Sequence, residues 1–289
     1  MTRFAVLAGS GLFWALMMFA LVRREVLPYL AYQSAPTYRS RLKGLLKPEL
    51  TKAVINAANT PVGSIESLVE PHSDGTFRIR SRMRMKARLS AAREGSSGEI
   101  PVRMKSEAIV DALYRVSRVT FEIDGGIFSV SVLGARRGQL MDVAYEFRIG
   151  DRRLTGGTQT IEFPSDAMIG DLFQPFPGGG GLFVGKKWKI PTVSPDAMGF
   201  RLKSLYAAVT DRERVEWQGA MVDTYRVEIR SEPTEEMRPT HIVWCRDDGL
   251  ALVQQMTYLS LVYDVRLESR ETLRWRNTLL WNRDYEHDR

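Results

Sequence analysis

Residues 77–89 alternate between apolar and basic side chains almost without exception. The apolar members are Phe77, Ile79, Met83, Met85, Ala87 and Leu89, and the basic members are Arg78, Arg80, Arg82, Arg84, Lys86 and Arg88. A helix turns residues two apart to different sides, whereas a strand keeps them on one face. The pattern therefore predicts a β-strand with one buried face, along which the cations extend for about 34 Å.

Shorter alternating segments follow along the chain. They lie at 118–123, 128–132, 143–149, 158–163, 187–190, 202–210, 212–217, 222–229, 240–245, 250–259 and 262–273. Turn residues such as Asp124-Gly125-Gly126 and Gly150-Asp151 separate them, and there is no alternation of strands with helices. The sequence predicts a mainly β fold, with one large curved antiparallel sheet in a single domain at 60–275.

The positive charge is concentrated in two segments. The net charge is +7, yet residues 1–48 hold seven basic and one acidic side chain, and residues 76–93 hold seven basic and no acidic ones. The remaining residues are net acidic. A protein that binds nucleic acid spreads its cations over a whole face, so we expect no nucleic-acid partner.

The amino-terminal segment is apolar. Residues 4–22 carry no charge and lie between Arg3 and the Arg23-Arg24 pair. As a helix they would span about 28 Å, close to the thickness of the hydrocarbon core of a bilayer. We expect residues 1–24 to be a single-pass transmembrane anchor in the inner or plasma membrane. A cleaved signal peptide and a buried core helix are the alternatives, although no small-x-small cleavage site follows the run.

Two arguments about the orientation of this anchor in the membrane lead to opposite predictions. Counting the flanking cations would keep the large domain in the cytoplasm. That rule is weak for long translocated domains, and short basic amino termini commonly stay inside. We therefore expect a periplasmic or other extracytoplasmic domain.

Residues 25–59 are expected to form a basic juxtamembrane linker that ends in a short helix. Tyr29, Tyr32 and Tyr38 suit the headgroup region of a membrane, and a solvated linker is an equal alternative. Pro48-Glu49 opens the predicted helix, with Leu50, Ala53, Val54 and Ala57 at helical spacing and Asn59 as its stop. At the other end of the chain, residues 276–289 are expected to be a tail.

A second short helix is expected to cap the sheet. Ser165 can cap a helix that carries Met168, Ile169, Leu172 and Phe173. A loop with Pro175, Pro177 and glycines at 178–181 follows, which suits a lid or hinge.

Motifs that would support catalysis are incomplete. Residues 180–186 have the G-x4-G-K spacing of a phosphate loop, but Lys187 stands where the Ser or Thr should be, and the following segment has the pattern of a strand. Cys245 lies in an apparently buried strand, and the three histidines lack ligand spacing. We expect no enzyme, no metal and no cofactor. A hydrolase with an unrecognised site is a distant alternative.

The row of cations allows two interpretations. Acidic residues on neighbouring strands, such as Glu99, Glu107 and Glu122, could neutralise it, or the charges could protect an edge strand. Alternatively, Arg78, Arg80, Arg82, Arg84, Lys86 and Arg88 bind an anionic partner such as phospholipid headgroups, lipopolysaccharide or an acidic protein.

Aromatic residues fall mostly on apolar strand faces, where they either fill the core or line a ligand cavity. Those selected as candidate ligand contacts are Phe183, Trp188, Trp217 and Tyr225.

Several short motifs in the second half of the chain resemble a known domain. They are LFVGKKWKIPTVSPDAMGFRLKSLYAAV from residue 182, EWQG from 216, VDTYRV from 222, IVWCRDDG from 242 and LVQQ from 252. They resemble a β-rich bacterial envelope domain that occurs alone or beside transglutaminase-like modules. In that domain, the turn that here reads Trp244-Cys245-Arg246-Asp247 is Trp-Val-Asp, a mild departure.

The resemblance implies a layout like the half-barrels that carry lipoproteins across the periplasm, and it supplies no catalytic residues. The hypothesis is a membrane-anchored, non-enzymatic envelope protein. It would bind a lipid-like or apolar ligand, a lipoprotein or an envelope partner. A structural subunit of a membrane complex, with a filled core, is the alternative.

Overall fold

The computed structural model describes residues 2–22, 33–34, 37–88, 99–165, 167, 181–196, 199–234, 237–258 and 261–287. Within these ranges the strands are β1 Gln33–Ser34, β2 Glu49–Ala57, β3 Thr60–Pro71, β4 Phe77–Arg88, β5 Glu99–Val110, β6 Val116–Asp124, β7 Phe128–Arg137, β8 Leu140–Ile149, β9 Arg152–Glu162, β10 Lys187–Asp196, β11 Gly199–Trp217, β12 Ala220–Arg230, β13 His241–Cys245, β14 Ala251–Tyr258 and β15 Leu261–Thr272. The helices are α1 Thr2–Leu21, α2 Tyr38–Leu42 and α3 Trp275–His287.

All strands belong to one open sheet, in the order β1-β10-β11-β12-β13-β14-β15-β2-β3-β4-β5-β6-β7-β8-β9. Strands β2–β9 form one antiparallel meander and β10–β15 form another, and the pairing of β15 with β2 joins them. The short β1 adds a parallel edge to β10. The predicted mainly β, antiparallel fold is therefore confirmed.

Tight turns fix the register of the hairpins. At the β2–β3 turn Ala58 and Asn59 have φ of 47° and 63°, and at the β11–β12 turn Gln218 and Gly219 have φ of 51° and 77°. Two successive residues with positive φ match the twist of the flanking strands. Asn59 therefore belongs to a hairpin turn and does not end a helix.

The short helix expected from Pro48 onward is wrong, because these residues form β2. Leu50 packs with Leu68 and Trp281 in one cluster, whereas Ala53 and Ile55 pack in another. Leu50 and Ala53 are an odd number of residues apart, so they point to opposite faces. Because both faces of this strand are covered, its apolar residues acquire a spacing of three that resembles a helix.

The predicted strands at 202–210 and 212–217 are one continuous strand, β11. Its pairing with β12 shifts register between Val209 and Asp211. Such a bulge reverses the side-chain alternation without ending the strand. The two segments therefore looked separate in the sequence.

The expected tail at 276–289 is also wrong, because α3 occupies most of it. The helix turns Thr278, Trp281 and Tyr285 toward the sheet, and the first two of these are buried. The capping helix expected near 165–173 and the glycine loop at 178–181 lie almost entirely outside the described ranges. Ala167, which is described, packs into the core.

The apolar amino-terminal run is helical and forms α1. Its side chains from Leu12 to Val22 are mostly exposed. Within the described part of the chain, no helix combines the length and apolar character that a membrane crossing needs. Of the expected juxtamembrane tyrosines, Tyr29 and Tyr32 lie outside the described ranges. Tyr38 of α2 is buried in the core with Leu42.

The two sides of the sheet differ in character. We call the side toward which Ile55, Ile65, Met83 and Met104 point the apolar face, since these residues are buried together. The other side of the same strands carries Arg80 and is called the charged face. Cross-strand register extends the apolar face through Val265 and Val243 to Val227. The sheet therefore has one nearly continuous apolar face.

At Gly63 the backbones of β3 and β4 approach each other closely. A Cβ atom there would lie 2.4 Å from the carbonyl oxygen of Arg84 and 2.6 Å from Cβ of Met85. We expect Gly63→Ala to lower the free energy of unfolding by about 1–3 kcal/mol, because the backbone of β4 must move. Guanidinium chloride unfolding measures this loss. Gly157→Ala is the control, since its Cβ would lie 3.9 Å from the Tyr145 hydroxyl, and equal losses in both variants would contradict the explanation.

Candidate functional site

The row of cations lies in the middle of the sheet. Strand β4 pairs with β3 on one side and β5 on the other. The suggestion that charge protects an edge strand is therefore wrong. In this central position the cations need neutralising partners, because like charges on one face repel one another.

Three glutamates supply these partners. Arg80 forms an ion pair with Glu70, and Arg82 lies 2.6 Å from Glu66. Arg78 lies 3.9 Å from Glu107, one of the three carboxylates proposed from the sequence. Of the other two, Glu122 lies across from Lys105 of β5, and the side chain of Glu99 is outside the described part of the chain.

The carboxyl-terminal helix covers this network. Trp281 and Tyr285 stack with their ring centroids 5.2 Å apart. The guanidinium of Arg80 lies 5.7 Å from each ring centroid, and that of Arg82 lies 5.2 Å from Trp281. These distances are within the range of cation–π attraction.

Polar contacts fix the helix in place. Trp281 Nε1 donates to Glu66 at 3.1 Å, and Asn282 Nδ2 donates to Glu70 at 3.4 Å. Lys105 Nζ donates to the carbonyl of Tyr285 at 2.6 Å. The side chains of Arg80 and Glu70 are only 4% and 6% exposed. The helix thus encloses the ion pair of Arg80 with Glu70.

The cationic row is not uniformly accessible to an external anion. Arg80 is buried beneath α3, and Arg82 is mostly covered. Arg78 is half-buried, whereas Arg84 and Lys86 are exposed. The side chain of Arg88 is outside the described part. Of the six predicted anion contacts, the structure therefore leaves Arg84 and Lys86 most open to solvent.

The opposite face of the same strands carries a methionine-rich cluster. Met83, Met104 and Met256 are buried there together with Ile55 and Ile65. A rim of half-buried side chains packs against them; it consists of Ala57, Val62, Met85, Val102, Phe121 and Ile123. We call these residues the methionine cluster and its rim. In the sequence, only the alternation of apolar and polar residues indicated that these side chains share a face.

The four aromatic candidates are not brought together. Trp188 is buried with Ile190, and Tyr225 packs at the edge of that cluster. Trp217 belongs to another cluster and donates from Nε1 to the carbonyl of Leu267 at 2.7 Å. Phe183 is 55% exposed. Because Trp188 and Trp217 lie in different clusters, these positions do not support a ligand cavity shared by the two side chains.

The remaining candidates for catalysis or ligand binding are Cys245, His241 and the segment with G-x4-G-K spacing. Burial, with a smaller contribution from Asp248, raises the pKa of the Cys245 thiol to about 12. Burial also lowers the pKa of His241. Strand β10 begins at Lys187, directly after the G-x4-G-K spacing, where a phosphate loop would begin a helix. Within the described residues, no three His, Cys, Asp or Glu side chains are grouped to hold a metal ion.

Comparisons with known proteins find solved structures that are similar to this chain, but they assign it to no family. No family model matches the chain, and no curated protein matches it. A β-barrel-like protein of the domain of unknown function DUF1849 from Brucella abortus is 10% identical, with a TM-score of 0.49, covering 79% of this chain and 99% of its own. A DUF1089 family protein from Pseudomonas aeruginosa is 14% identical, with a TM-score of 0.33, covering 65% of this chain and 87% of its own.

The network beneath α3 can be tested by removing one or both charges. We expect Glu70→Leu to lower the free energy of unfolding by about 3–5 kcal/mol, because Arg80 is left buried without its counter-charge. The double variant Glu70→Leu/Arg80→Met should recover most of that loss. Chemical unfolding of each variant measures both effects.

An exposed ion pair provides the control for this experiment. Arg214 and Asp223 lie 3.5 Å apart, with side chains 65% and 72% exposed. Asp223→Asn should change stability by less than about 1 kcal/mol. No recovery in the double variant would show that the two charges do not act as a pair.

Proposed function

We propose that this protein is a non-enzymatic, membrane-associated protein of the bacterial envelope that binds a lipid-like or apolar ligand on the apolar face of its sheet. The observation that carries this proposal is the methionine cluster and its rim. Methionine side chains are flexible and polarisable, so they adapt to apolar ligands of varied shape. The half-buried rim supplies apolar surface that a ligand could cover.

The rim favours an apolar ligand over a polar one. Met85, Val102, Phe121 and Ile123 are neighbours across β4, β5 and β6, and they are only partly buried. Covering such surface contributes roughly 25 cal/mol per Å² of apolar area removed from water. Tyr225 lies on the same face, partly buried against the cluster that contains Trp188, and it would extend the contact surface for a long ligand.

Membrane association rests on the amino-terminal helix. Leu12, Phe13 and Trp14 of α1 are each more than half exposed. Exposed apolar side chains in such density are typical of surfaces that meet lipid or another protein. The resemblance of residues 182–255 to envelope domains supports an extracytoplasmic location at the inner membrane.

The state of Cys245 argues against a thiol nucleophile. A thiol whose pKa is raised to about 12 carries almost no thiolate at neutral pH, and the side chain is buried. Thiolate is the nucleophilic form. Cys245 is therefore better suited to packing than to catalysis.

Ligand binding can be tested with the neutral fluorophore Nile red. We expect the purified protein to bind it and Ile123→Glu to weaken binding at least tenfold, because a charge would enter the apolar rim. Leu133→Glu is the matched control. Leu133 lies across from Thr120 on the opposite face of the sheet and is 51% exposed. Equal weakening by both substitutions, or no binding by the parent protein, would contradict the proposal.

A structural subunit of a membrane complex is the second candidate. It is favoured by α3, whose outward residues Trp275, Leu279 and Leu280 are 50%, 69% and 57% exposed. Apolar side chains that point away from the sheet on a firmly docked helix suit a protein partner.

This second candidate predicts loss of a partner when the helix is made polar. We expect Leu279→Ser/Leu280→Ser to abolish co-purification of a stoichiometric envelope partner from detergent extracts. Leu113→Ser is the control, since Leu113 is 62% exposed in the β5–β6 turn. Mass determination of the purified assembly measures the effect. An unchanged assembly would rule out α3 as the interface.

A further inference from the structure

Gln254 is a polar residue at the centre of the apolar face. Its side chain is 1% exposed. On the neighbouring strands it pairs with Val243 and Val265, and Leu252 and Met256 flank it along β14. All four neighbours are buried. Gln254 therefore lies where the methionine cluster meets the cluster that contains Trp188.

The amide of Gln254 has no hydrogen-bond partner among the described residues. This holds for both its nitrogen and its oxygen. Other side chains with an unpaired buried atom make a polar contact through a second atom, as Arg80 does with Glu70 and Arg226 with Glu213. Buried polar groups are paired in the great majority of cases. Among the described residues, a buried side chain left unpaired at both its donor and its acceptor is therefore the exception.

An unpaired amide is unfavourable for folding alone. Leaving a buried donor or acceptor unsatisfied costs about 1–3 kcal/mol. Methionine or leucine at this position would match the four surrounding residues without that cost. Other buried polar side chains on the apolar face are paired, since Ser81 donates a hydrogen bond to Ser67 at 3.1 Å. The amide thus points to a partner that the described chain does not supply.

We propose that Gln254 is the hydrogen-bonding anchor for the polar group of an uncharged amphiphile bound on the apolar face. This rests on the proposed function and names its ligand class. The amide presents a donor beside an acceptor, so it matches a group that both accepts and donates, such as a hydroxyl. A long-chain alcohol or an acylglycerol with a free hydroxyl has that chemistry.

A charged headgroup does not suit this position. An ion next to Gln254 would be removed from water among Val243, Val265 and Met256, and none of these three side chains can neutralise it. The arginines of β4 cannot provide one, because they point to the charged face. The ligand selected by Gln254 is therefore neutral.

The test compares two ligands of equal chain length. Displacement of Nile red from the full-length protein by 1-dodecanol and by dodecane separates the contribution of the hydroxyl from that of the tail. We expect the parent protein to prefer dodecanol, and Gln254→Met to reduce the affinity for dodecanol about tenfold. Its affinities for dodecane and Nile red should remain unchanged.

The matched control is the next residue. Gln255 points to the opposite face and donates to Asp264 at 3.1 Å, so Gln255→Met should leave the preference for dodecanol intact. Gln254→Leu serves as a second variant. Neither substitution of Gln254 should lower the denaturation midpoint, since an unsatisfied amide is replaced by an apolar group.

The outcomes separate this inference from the proposed function. Binding of Nile red with equal affinity for dodecanol and dodecane would overturn the role of Gln254 and leave apolar binding intact. Equal affinity is also the result expected if the amide binds only internal water. A large fall in the denaturation midpoint of both Gln254 variants would likewise overturn it. Failure of the parent protein to bind Nile red would overturn both proposals.

Discussion

The burial of Arg80 beneath α3 is the constraint on which the rest of the structure depends. Strand β4 carries a cation at every second position, and like charges that face one another across a sheet destabilise it. Glu70 and Glu66 occupy positions on β3 from which they reach Arg80 and Arg82. Trp281 and Tyr285 then cover the guanidinium groups. The carboxyl-terminal helix therefore covers the part of the charged strand that carries Arg80 and Arg82.

The separation of the charged face from the apolar face limits which groups of β4 a ligand can contact. Alternation turns Met83 and Met85 away from the arginines of the same strand. A small ligand on the apolar face therefore cannot place its headgroup against the cations of β4. Any polar recognition on the apolar face must come from residues such as Gln254.

Much of the fold was predictable because most strands have one dry and one wet face. β4, β6 and β8 alternate clearly, and their turns carry the expected glycine and aspartate. Prediction failed where both faces are covered. In β2, Leu50 meets α3 while Ala53 meets the methionine cluster, so the alternation disappears. Helix α3 was missed for a related reason, since Leu279 and Leu280 point to solvent while Trp281 points inward.

The candidate site was harder to predict than the fold. Glu66 and Glu70 could be matched to Arg82 and Arg80 only after β3 was recognised as the partner of β4. The adjacent pair Gln254-Gln255 gives no sign of which amide is buried. That choice depends on the register between β13 and β14, in which Gln254 lies across from Val243 and Gln255 lies across from Ile242.

Arg80 and Gln254 are both buried, but only Arg80 has a polar partner among the described residues. Replacing a buried ion pair by apolar residues is often neutral or stabilising, yet this chain keeps the pair and supplies partners for both of its charges. A chain that builds Glu70, Asn282 and Trp281 around one buried guanidinium network has the means to pair an amide as well. Serines on the same face as Gln254 are paired in this way. An amide that remains unpaired beside these ion pairs is best explained by a partner that the described residues do not supply, and the apolar residues around it restrict that partner to a neutral group.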